Sequence, residues 1–398
     1  MRGTSTTRQT ITKYTPSRRQ EPRRTRIPDR PNKSANLWSV AKNFAGKDLA
    51  KVSLPVNFNE PLSFLQRLTE DFEYAELLDL AADSDNGMQI AYVAAFAISS
   101  YSSTVERVGK PFNPLLGETY ECDRTDDLGW KCISEQVSHH PPISAIHCVG
   151  KKWKVWQQFT MDSKFRGKYI RVVPIGIVHL LFPASGNHFT WNKVETTVNN
   201  VILGNLWIDQ TGTMIIKNHK TGWQSDIEFI PYNYYNKEEQ RSIKGVIKND
   251  KGEVKLILTG CWNDKLKVSA IYKTDIAQVI WERSPLLPDS KNYYYFSLFA
   301  CQLNEMEPNV APTDSRKRPD QRLMEEGKWE QANALKTALE EKQRSKRRDS
   351  NEFNPLWFEL GKDTVTGEPL YIYKGTYWDC KDKQHWSKCP NLFDLSVD

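Results

Sequence analysis

Residues 135–145, EQVSHHPPISA, place two of the chain's seven histidines side by side and directly before two prolines. Each proline holds its own φ at about −65° and biases the residue before it toward an extended conformation, so His139 and His140 stand on a stiff backbone. Because imidazole has an ordinary pKa of about 6.5, the pair gains positive charge readily beside an anionic phosphate. The motif therefore indicates a phosphate-receiving site. The alternative is that one histidine caps a turn while the other faces solvent.

A second rigid motif lies at residues 108–119, VGKPFNPLLGET. Its two prolines and glycine predict a stiff loop, on which Lys110 offers a point charge and Asn113 an amide donor. This combination suits the polar head group of a ligand.

A third polar group recurs along residues 329–348, a strongly charged segment that the sequence predicts to be helical. Lys336, Glu340 and Arg344 follow one another at intervals of four, so all three project from one face within about 80°. Two interpretations stay open: the residues bind a ligand, or they form a ladder of salt bridges on a solvated face.

The middle of the chain has the pattern of antiparallel β-structure. From about residue 118 to 283, short segments rich in Val, Ile, Trp, Tyr and Phe alternate with turn residues. About a dozen strands would curl strongly or close, and a barrel wider than eight strands leaves room for a ligand inside. Helices are predicted over residues 61–83 and 87–108 before this region, and over residues 293–303, 319–326 and 329–348 after it.

Composition bounds the class of protein. The 398 residues include 13 Trp, 16 Tyr and 16 Phe, which suit half-buried strands and the wall of an apolar cavity. With no long apolar run and no secretory signal, we expect a soluble, intracellular protein. Seven widely spaced cysteines predict free thiols. Cys380, His385 and Cys389 raise the question of zinc, but without a CxxC pair or a fourth ligand we predict neither metal nor cofactor.

The positive charge is concentrated in the first residues. Residues 1–35 contain ten Arg or Lys and two acidic residues, whereas the whole chain has a formal net charge of +6. We predict a disordered basic tail that rests on an anionic membrane surface. Nucleic acid is not an expected partner, because no recognition motif accompanies the basic residues. The amphipathic segment 37–50 that follows either docks on the core or covers an opening and touches lipid.

Together these motifs resemble the lipid-transfer domain of the oxysterol-binding proteins and their relatives. The resemblance covers residues 36 to about 398 and rests on residues 110–118, 135–145, 293–305 and 314–344. Segments 38–39, 59–70 and 200–204 are most similar to the animal oxysterol-binding protein-related proteins one and two.

The resemblance implies an α+β, β-dominated fold: a large incomplete antiparallel β-barrel with a central lipid tunnel, an N-terminal helical lid, and flanking N- and C-terminal helices. We expect one lipid-binding domain, 36–398, behind the basic tail. The expected parts are the tail 1–35, the lid 36–57, a helical region 58–109, the β-barrel 110–283 and a C-terminal helical subdomain 284–398.

The resemblance also implies which residues meet the lipid. The phosphoinositide head group would be bound by Lys110, Asn113, His139, His140, Lys336, Glu340 and Arg344. A phosphomonoester carries about −1.5 to −2 charge near neutral pH, which the cationic residues of this set would answer with hydrogen-bond donors, while Glu340 would position its neighbours. The residues expected to form the lid and face a sterol are Leu37, Trp38, Val40 and Phe44.

Members of this family extract a sterol, or in some branches phosphatidylserine, from one membrane and exchange it for phosphatidylinositol 4-phosphate from another. We therefore expect a non-enzymatic lipid-transfer protein, cytoplasmic and peripheral at membranes, whose partners are sterol and phosphoinositide lipids, anionic membrane surfaces and an adaptor protein of the endoplasmic reticulum or another organelle. A membrane-tethered lipid sensor and a phosphatidylserine-exchanging member are the alternatives. A phosphatase or esterase using His139 or His140 as base is disfavoured, because the chain has neither a Cys-x5-Arg loop nor a G-x-S-x-G elbow.

Overall fold

The computed structural model of the protein describes residues 22–31, 55–201, 206–233, 235, 239–273, 276–349 and 353–395, with the backbone alone for 346–349. A large antiparallel sheet dominates it, with short helices before and after, which confirms the predicted β-dominated α+β class. The expected lid residues Leu37, Trp38, Val40 and Phe44 lie outside the described residues. No helix within the described part of the chain is long and apolar enough to cross a membrane.

The sheet contains fourteen strands among the described residues, and its neighbouring strands are antiparallel. They are β3 (Thr119–Arg124), β4 (Trp130–His139), β5 (Pro142–Gly150), β6 (Lys154–Phe165), β7 (Tyr169–Ile175), β8 (Ile177–Phe182), β9 (Asn187–Asn192), β10 (Glu195–Asn199), β11 (Trp207–Asn218), β12 (Gln224–Phe229), β13 (Ser242–Lys248), β14 (Val254–Cys261), β15 (Lys265–Ala270) and β16 (Gln278–Glu282). The sheet runs from β3 to β16, and these two end strands do not pair with each other in the part of the chain that is described. The barrel is therefore incomplete.

Two long strands, β6 and β11, each pair with one strand at one edge, β5 and β12 respectively, and with two successive strands at the other. β6 pairs with β8 through residues 154–157 and with β7 through residues 160–165. β11 pairs with β10 through residues 207–211 and with β9 through residues 217–218. The sheet consequently divides into a β7–β10 branch and a β8–β9 branch between the two long strands.

The chain before the barrel is built from short elements. They are β1 (Asn59–Ser63), α1 (Phe64–Thr69), α2 (Glu76–Ala82), α3 (Asn86–Ser99) and β2 (Lys110–Phe112), with single 3-10 turns at Val56–Phe58, Glu70–Phe72 and Ser102–Thr104. The prediction of one helix over residues 61–83 is wrong at its start, because Pro61 lies in β1, which pairs in parallel with β2. Ser63 then caps α1 through a capping box with Gln66.

α3 is apolar on every side, so it is buried along most of its length. Asp85 caps it by accepting from the Met88 N–H at 2.9 Å, and the helix ends at Ser99 rather than at the predicted residue 108. Its small side chains allow close approach to β11, β12, β13, β14 and β16. α3 thus packs against the second half of the barrel.

The chain after the barrel is not wholly helical, which corrects the prediction for residues 284–398. It forms a 3-10 turn (Ser290–Tyr293), α4 (Leu298–Leu303), a 3-10 turn (Ser315–Lys317), α5 (Pro319–Glu325), α6 (Trp329–Asp349), β17 (Phe358–Lys362), β18 (Pro369–Tyr373) and α7 (Tyr377–Asp382). β17 and β18 make a hairpin, whose Phe358 packs with Tyr377 in a second apolar cluster against Ile133 and Val137 of β4.

Residues 22–31 form an extended segment held against the body, which corrects the prediction that residues 1–35 are all disordered. Arg24 pairs with Glu325 at 2.6 Å, and Ile27 is only 2% exposed. A basic, proline-rich composition favours disorder when a segment is considered alone. Here acidic partners distant in sequence offset the arginine charges.

Candidate functional site

A cavity of about 1270 Å³ lies between the part of the chain that precedes the barrel and the barrel strands. Four neighbouring strands, β6, β7, β10 and β11, contribute mainly alternate residues to its wall. The apolar residues of this wall are Phe159, Met161, Ile170, Val172, Pro174, Val198 and Ile208. Pockets for drug-sized ligands have volumes of about 300–1,000 Å³, so this cavity has room for a lipid.

A hydrogen-bonded polar group interrupts the apolar wall. Thr196 Oγ1 donates to Gln210 Oε1 at 2.7 Å, and Gln210 Nε2 donates to Thr104 Oγ1 at 3.2 Å. All three side chains line the cavity. A hydroxyl group on an otherwise apolar ligand would find both donors and acceptors here.

Another part of the cavity wall is basic and contains four of the predicted site residues: Lys110, Asn113, His139 and His140. Lys110 Nζ donates to Asn113 Oδ1 at 2.8 Å, so the charge and the amide of the loop form one unit. The imidazole centroids of His139 and His140 lie 4.7 Å apart with their planes at 67°. The fold thus brings Lys110 and Asn113 to the same place as His139, which follows Asn113 by 26 residues in the sequence.

A β-bulge and the turn that follows it explain how both histidines reach the cavity. β4 has one extra residue, Val137, between two successive pairings with β5. Because side chains alternate between the faces of a strand, the extra residue returns His139 to the face of Gln136, which also lines the cavity. His140 then begins the turn, and its peptide bond to Pro141 is cis. In an unbroken strand the two imidazoles would point to opposite faces.

The loop from Lys110 to Leu116 is held by Arg318, whose side chain is fully buried. The guanidinium pairs with Asp320 at 2.8 Å and with Glu118 at 3.0 Å, and it donates to the carbonyl oxygen of Asn113 at 2.7 Å. Burial raises the pKa of Glu118, and the charge of Arg318 opposes that rise. Arg318 therefore both neutralises buried carboxylates and fixes the backbone of the binding loop.

A buried charge network forms a further stretch of the cavity wall. Arg107 pairs with Glu60 at 2.7 Å and also with Glu70, which in turn pairs with Arg67 at 3.1 Å. Burial alone would raise the pKa of Glu70, but the charges of Arg107 and Arg67 hold it below its ordinary value. The charges of this network are therefore satisfied by one another within the protein.

α6 carries the other three predicted head-group residues, Lys336, Glu340 and Arg344. In the structure Lys336 and Glu340 form one ion pair, and Arg344 has a different partner. Lys336 Nζ donates to Glu340 Oε1 at 2.8 Å, whereas Arg344 donates to Glu341 at 2.7 Å and exposes 55% of its side chain. The described residues of the cavity wall do not include these three. Gln343 of α6 contacts the Lys110–Leu116 loop instead, because its Oε1 accepts from the Leu116 N–H at 2.8 Å.

Two residues that hold the site, Arg318 and Gln343, were not among those predicted from the sequence. Arg318 stands in a run of charged residues, and nothing in that run marks it as buried. Gln343 had a readable signal: seven residues of α-helix turn through about 700°, which places it within about 20° of Lys336, whereas Arg344 lies about 80° away.

The structure shows the surroundings of Cys380, His385 and Cys389, the three residues that raised the question of zinc. Cys380 and Cys389 pack with Trp357 and Tyr377 in the second apolar cluster. Burial raises the pKa of Cys389 to about 11, so it is a thiol at neutral pH. His385 is exposed. In the described ranges, no group of three or more His, Cys, Asp or Glu could hold a metal ion, and all seven cysteines are free.

Three further histidines cluster under the β17–β18 hairpin, away from the cavity wall. His179 Nδ1 lies 3.1 Å from His188 Nε2, and the Trp156 ring stacks on His179 at 5.0 Å. His179 Nε2 faces Asp363 at 3.6 Å. Burial lowers the pKa of His179 to about 4 and also lowers the pKa values of His188 and His219.

Acid is expected to weaken the fold through His179. The imidazole has a pKa of about 6.5 in the unfolded chain and about 4 in the folded one, so its contribution to stability is complete above pH 6.5 and is lost as the pH falls toward 4. Between about pH 7.5 and about pH 5 the loss is about 2 kcal/mol. Denaturation of the wild type and of His179→Gln at both pH values should show a smaller acid loss in the variant. His385→Gln, at an exposed position, is the control, and identical pH profiles for all three proteins would refute the assignment.

Comparison with known proteins gives consistent matches. The oxysterol-binding protein family model matches residues 36–382. Oxysterol-binding protein 2 of Mus musculus is 49% identical over 403 residues, covering 93% of this chain and 44% of the relative. Oxysterol-binding protein-related protein 6 of Homo sapiens is 41% identical over 364 residues, covering 89% of this chain and 38% of the relative. The chain therefore spans less than half the length of these curated relatives.

Two solved structures are similar over nearly their whole length. The Osh1 ORD domain in complex with cholesterol has a TM-score of 0.86 and 34% identity, covering 94% of this chain and 95% of that chain. The Osh3 ORD from Saccharomyces cerevisiae in complex with PI(4)P has a TM-score of 0.83 and 34% identity, covering 93% of this chain and 99% of that chain.

Proposed function

The chain belongs to the oxysterol-binding protein family, and from this premise we propose that it transfers lipids between membranes, one molecule at a time, without catalysing a reaction. The proposed cargoes are a sterol and phosphatidylinositol 4-phosphate. The observation that carries the proposal is a single cavity wall that is apolar along the barrel strands and basic at the loop and histidine motifs. The ligands in the Osh1 and Osh3 structures support the same pair of lipids.

The phosphorylated head group is proposed to lie at the basic part of the wall. Lys110, His139 and His140 answer the phosphate oxygens with charge-assisted hydrogen bonds, and Asn113 offers its amide to phosphate or to an inositol hydroxyl. The cationic residues of α6 lie outside the described cavity wall, and they are proposed to turn toward the head group when it binds, with Glu340 holding Lys336 in place through the 2.8 Å contact. Arg344 reaches the ligand after leaving its exposed partner Glu341, which costs little because exposed pairs are weak.

The sterol is proposed to occupy the apolar wall. Recognition there is mainly burial of apolar area, worth about 25 cal/mol per Å², with the Thr104, Thr196 and Gln210 group available to its hydroxyl. Because the acyl chains of a phosphoinositide need the same apolar wall, the two lipids exclude each other. Exchange, rather than joint binding, follows from that overlap.

The test is lipid extraction from liposomes by the purified chain. Labelled sterol and phosphatidylinositol 4-phosphate should each be removed from donor liposomes, and each should compete with the other. Removal of neither lipid would refute the proposal. Native mass spectrometry with lipid identification shows whether phosphatidylserine is the cargo instead.

A membrane-bound lipid sensor is the second candidate, and the N-terminal charge supports it. Outside residues 22–31, three of whose arginines have acidic partners within the protein, the first 35 residues still contain six Arg or Lys and one acidic residue. This charge favours attachment of a cytoplasmic protein to the surface of an anionic membrane. Slow transfer together with lipid-dependent proteolysis near Trp38 would favour the sensor. An organelle adaptor is a further proposed partner, to be identified by capture with and without bound lipid.

A further inference from the structure

The segment 22–31 contains four arginines, and three of them are held by carboxylates. These ion pairs, with distances of 2.5–2.8 Å, are Arg23–Glu307, Arg24–Glu325, Arg26–Asp29 and Arg26–Asp289. The fourth arginine, Arg30, forms no ion pair with a carboxylate in the described ranges. Three arginines thus fix the segment on the body of the protein, and the fourth keeps its charge.

Arg30 lies at the wall of the cavity. Its backbone N–H donates to the carbonyl oxygen of Asn292 at 2.8 Å, which ties the segment to the 3-10 turn before α4. Its guanidinium carbon lies 5.2 Å from the centre of the Tyr294 ring. Arg30 and Tyr294 both line the cavity, as does Lys291 of the same turn. Two cations from different segments therefore lie at one part of the wall.

The acidic residues beside these two cations in the sequence are already neutralised. Asp29 directly precedes Arg30, and Asp289 precedes Lys291 by two residues. Both carboxylates pair with Arg26. Lys291, like Arg30, has no carboxylate partner among the residues that the structure describes. Their charges are consequently available to attract an anion from outside the protein.

The same part of the wall borders the strand that begins at Lys110. Burial raises the pKa of the Tyr294 hydroxyl, the charge of Arg30 opposes that rise, and the charge of Glu60 adds to it. Arg30 and Glu60 therefore both lie near the Tyr294 ring. Glu60 belongs to β1, which pairs with β2. Because Arg107 neutralises Glu60 at 2.7 Å, this carboxylate does not cancel the attraction of Arg30 for an anion.

Phosphatidylinositol 4-phosphate has two phosphates, and the motifs described above answer one of them. That one is the monoester on the inositol ring. The other is a diester that joins the ring to glycerol, and every glycerophospholipid has such a phosphate. Arginine suits it, because the planar guanidinium donates two parallel hydrogen bonds to phosphate oxygens.

We propose that Arg30 and Lys291 form a second phosphate subsite of the cavity, which binds the phosphodiester of a glycerophospholipid. The histidine motif takes the ring monoester. This inference deepens the proposed function and rests on it for the identity of the cargo. A sterol has no phosphate, so the subsite acts on the phospholipid alone.

The first test measures binding in solution, where no membrane surface contributes. The probe is dioctanoyl phosphatidylinositol, which has the diester and lacks the ring monoester, titrated into the purified chain. Arg30→Gln should weaken its binding about tenfold, the lower end of the range for a hydrogen bond to a charged group, because Arg30 is exposed. Replacing His139 and His140 by alanine should leave it unchanged. A wild type that does not bind the probe, or an Arg30→Gln protein that binds it equally well, would overturn the inference.

The second test compares the two cargoes in liposomes of phosphatidylcholine, whose surface has no net charge. Arg30→Gln should slow extraction of phosphatidylinositol 4-phosphate about tenfold and leave extraction of labelled sterol unchanged. Lys291→Gln should have a smaller effect, because lysine lacks the planar fork. Arg166→Gln, at an exposed position outside the described cavity wall, is the matched control. Equal slowing of both cargoes would show that Arg30 acts through the fold or through the membrane, and would refute the proposal.

The two tests separate the inference from the proposed function. If the wild type extracts no phosphoinositide but Arg30→Gln still weakens binding of the soluble probe, the proposed function fails and the phosphate subsite stands. If the wild type exchanges both lipids and Arg30→Gln binds the probe equally well, the subsite is refuted and the proposed function stands.

Discussion

Replacing His139 and His140 together by alanine is expected to abolish extraction of phosphatidylinositol 4-phosphate and to leave sterol uptake nearly unchanged. Both imidazoles line the basic part of the cavity, next to Lys110. A hydrogen bond to a charged group is worth about 1.5–3 kcal/mol, so loss of two reduces phosphoinositide affinity at least about 100-fold. A sterol has no phosphate and keeps the apolar wall.

Liposome extraction with both labelled lipids checks this expectation. His385→Ala is the matched control, because it removes an exposed imidazole away from the cavity wall. Thermal denaturation of the double variant shows whether the fold persists. Equal loss of both lipids in a folded variant would contradict the head-group assignment and point to a structural role for the pair.

Arg318→Ala is expected to lower the free energy of unfolding by about 3–5 kcal/mol, the range measured when one partner of a buried ion pair is removed. The substitution leaves Glu118 and Asp320 buried without their counter-charge, and the carbonyl oxygen of Asn113 loses its donor. The substitution is therefore expected both to destabilise the fold and to release the binding loop.

Chemical denaturation measures the change in the free energy of unfolding. Lys328→Ala, which breaks an exposed pair with Glu326, is the control and should change stability by less than about 1 kcal/mol. Arg318→Lys keeps the charge but not the planar fork, so it should remain folded while losing more phosphoinositide extraction than sterol uptake. A stable Arg318→Ala protein with full extraction of both lipids would refute the role given to Arg318.

Local patterns predicted much of the fold correctly. Alternation and turn residues located the barrel, since its fourteen described strands run from Thr119 to Glu282 and the sequence predicts β-structure from about residue 118 to 283. The helical spacing of residues 329–348 agrees with α6, Trp329–Asp349. These elements depend on periodicity that is visible within a single segment.

Other elements depended on partners distant in sequence, and there the predictions failed. Pro61 is a good first residue of a helix, yet β1 takes it because β2 lies alongside. Residues 22–31 have a disordered composition, yet Arg24 finds Glu325 across the fold. Burial and charge pairing outweigh local preference in both cases.

The sequence by itself determined the family, the β-dominated class and the motifs of the candidate site, because those depend on residue types at fixed spacing. Only the tertiary structure decided how the site is assembled. The bulge at Val137 sets which way His139 points, and the buried fork of Arg318 holds the loop. The rotation of α6 brings Gln343 rather than Arg344 to that loop. The physical reason is that side-chain direction depends on strand register, helix rotation and ion pairs between distant segments, none of which is written in a motif.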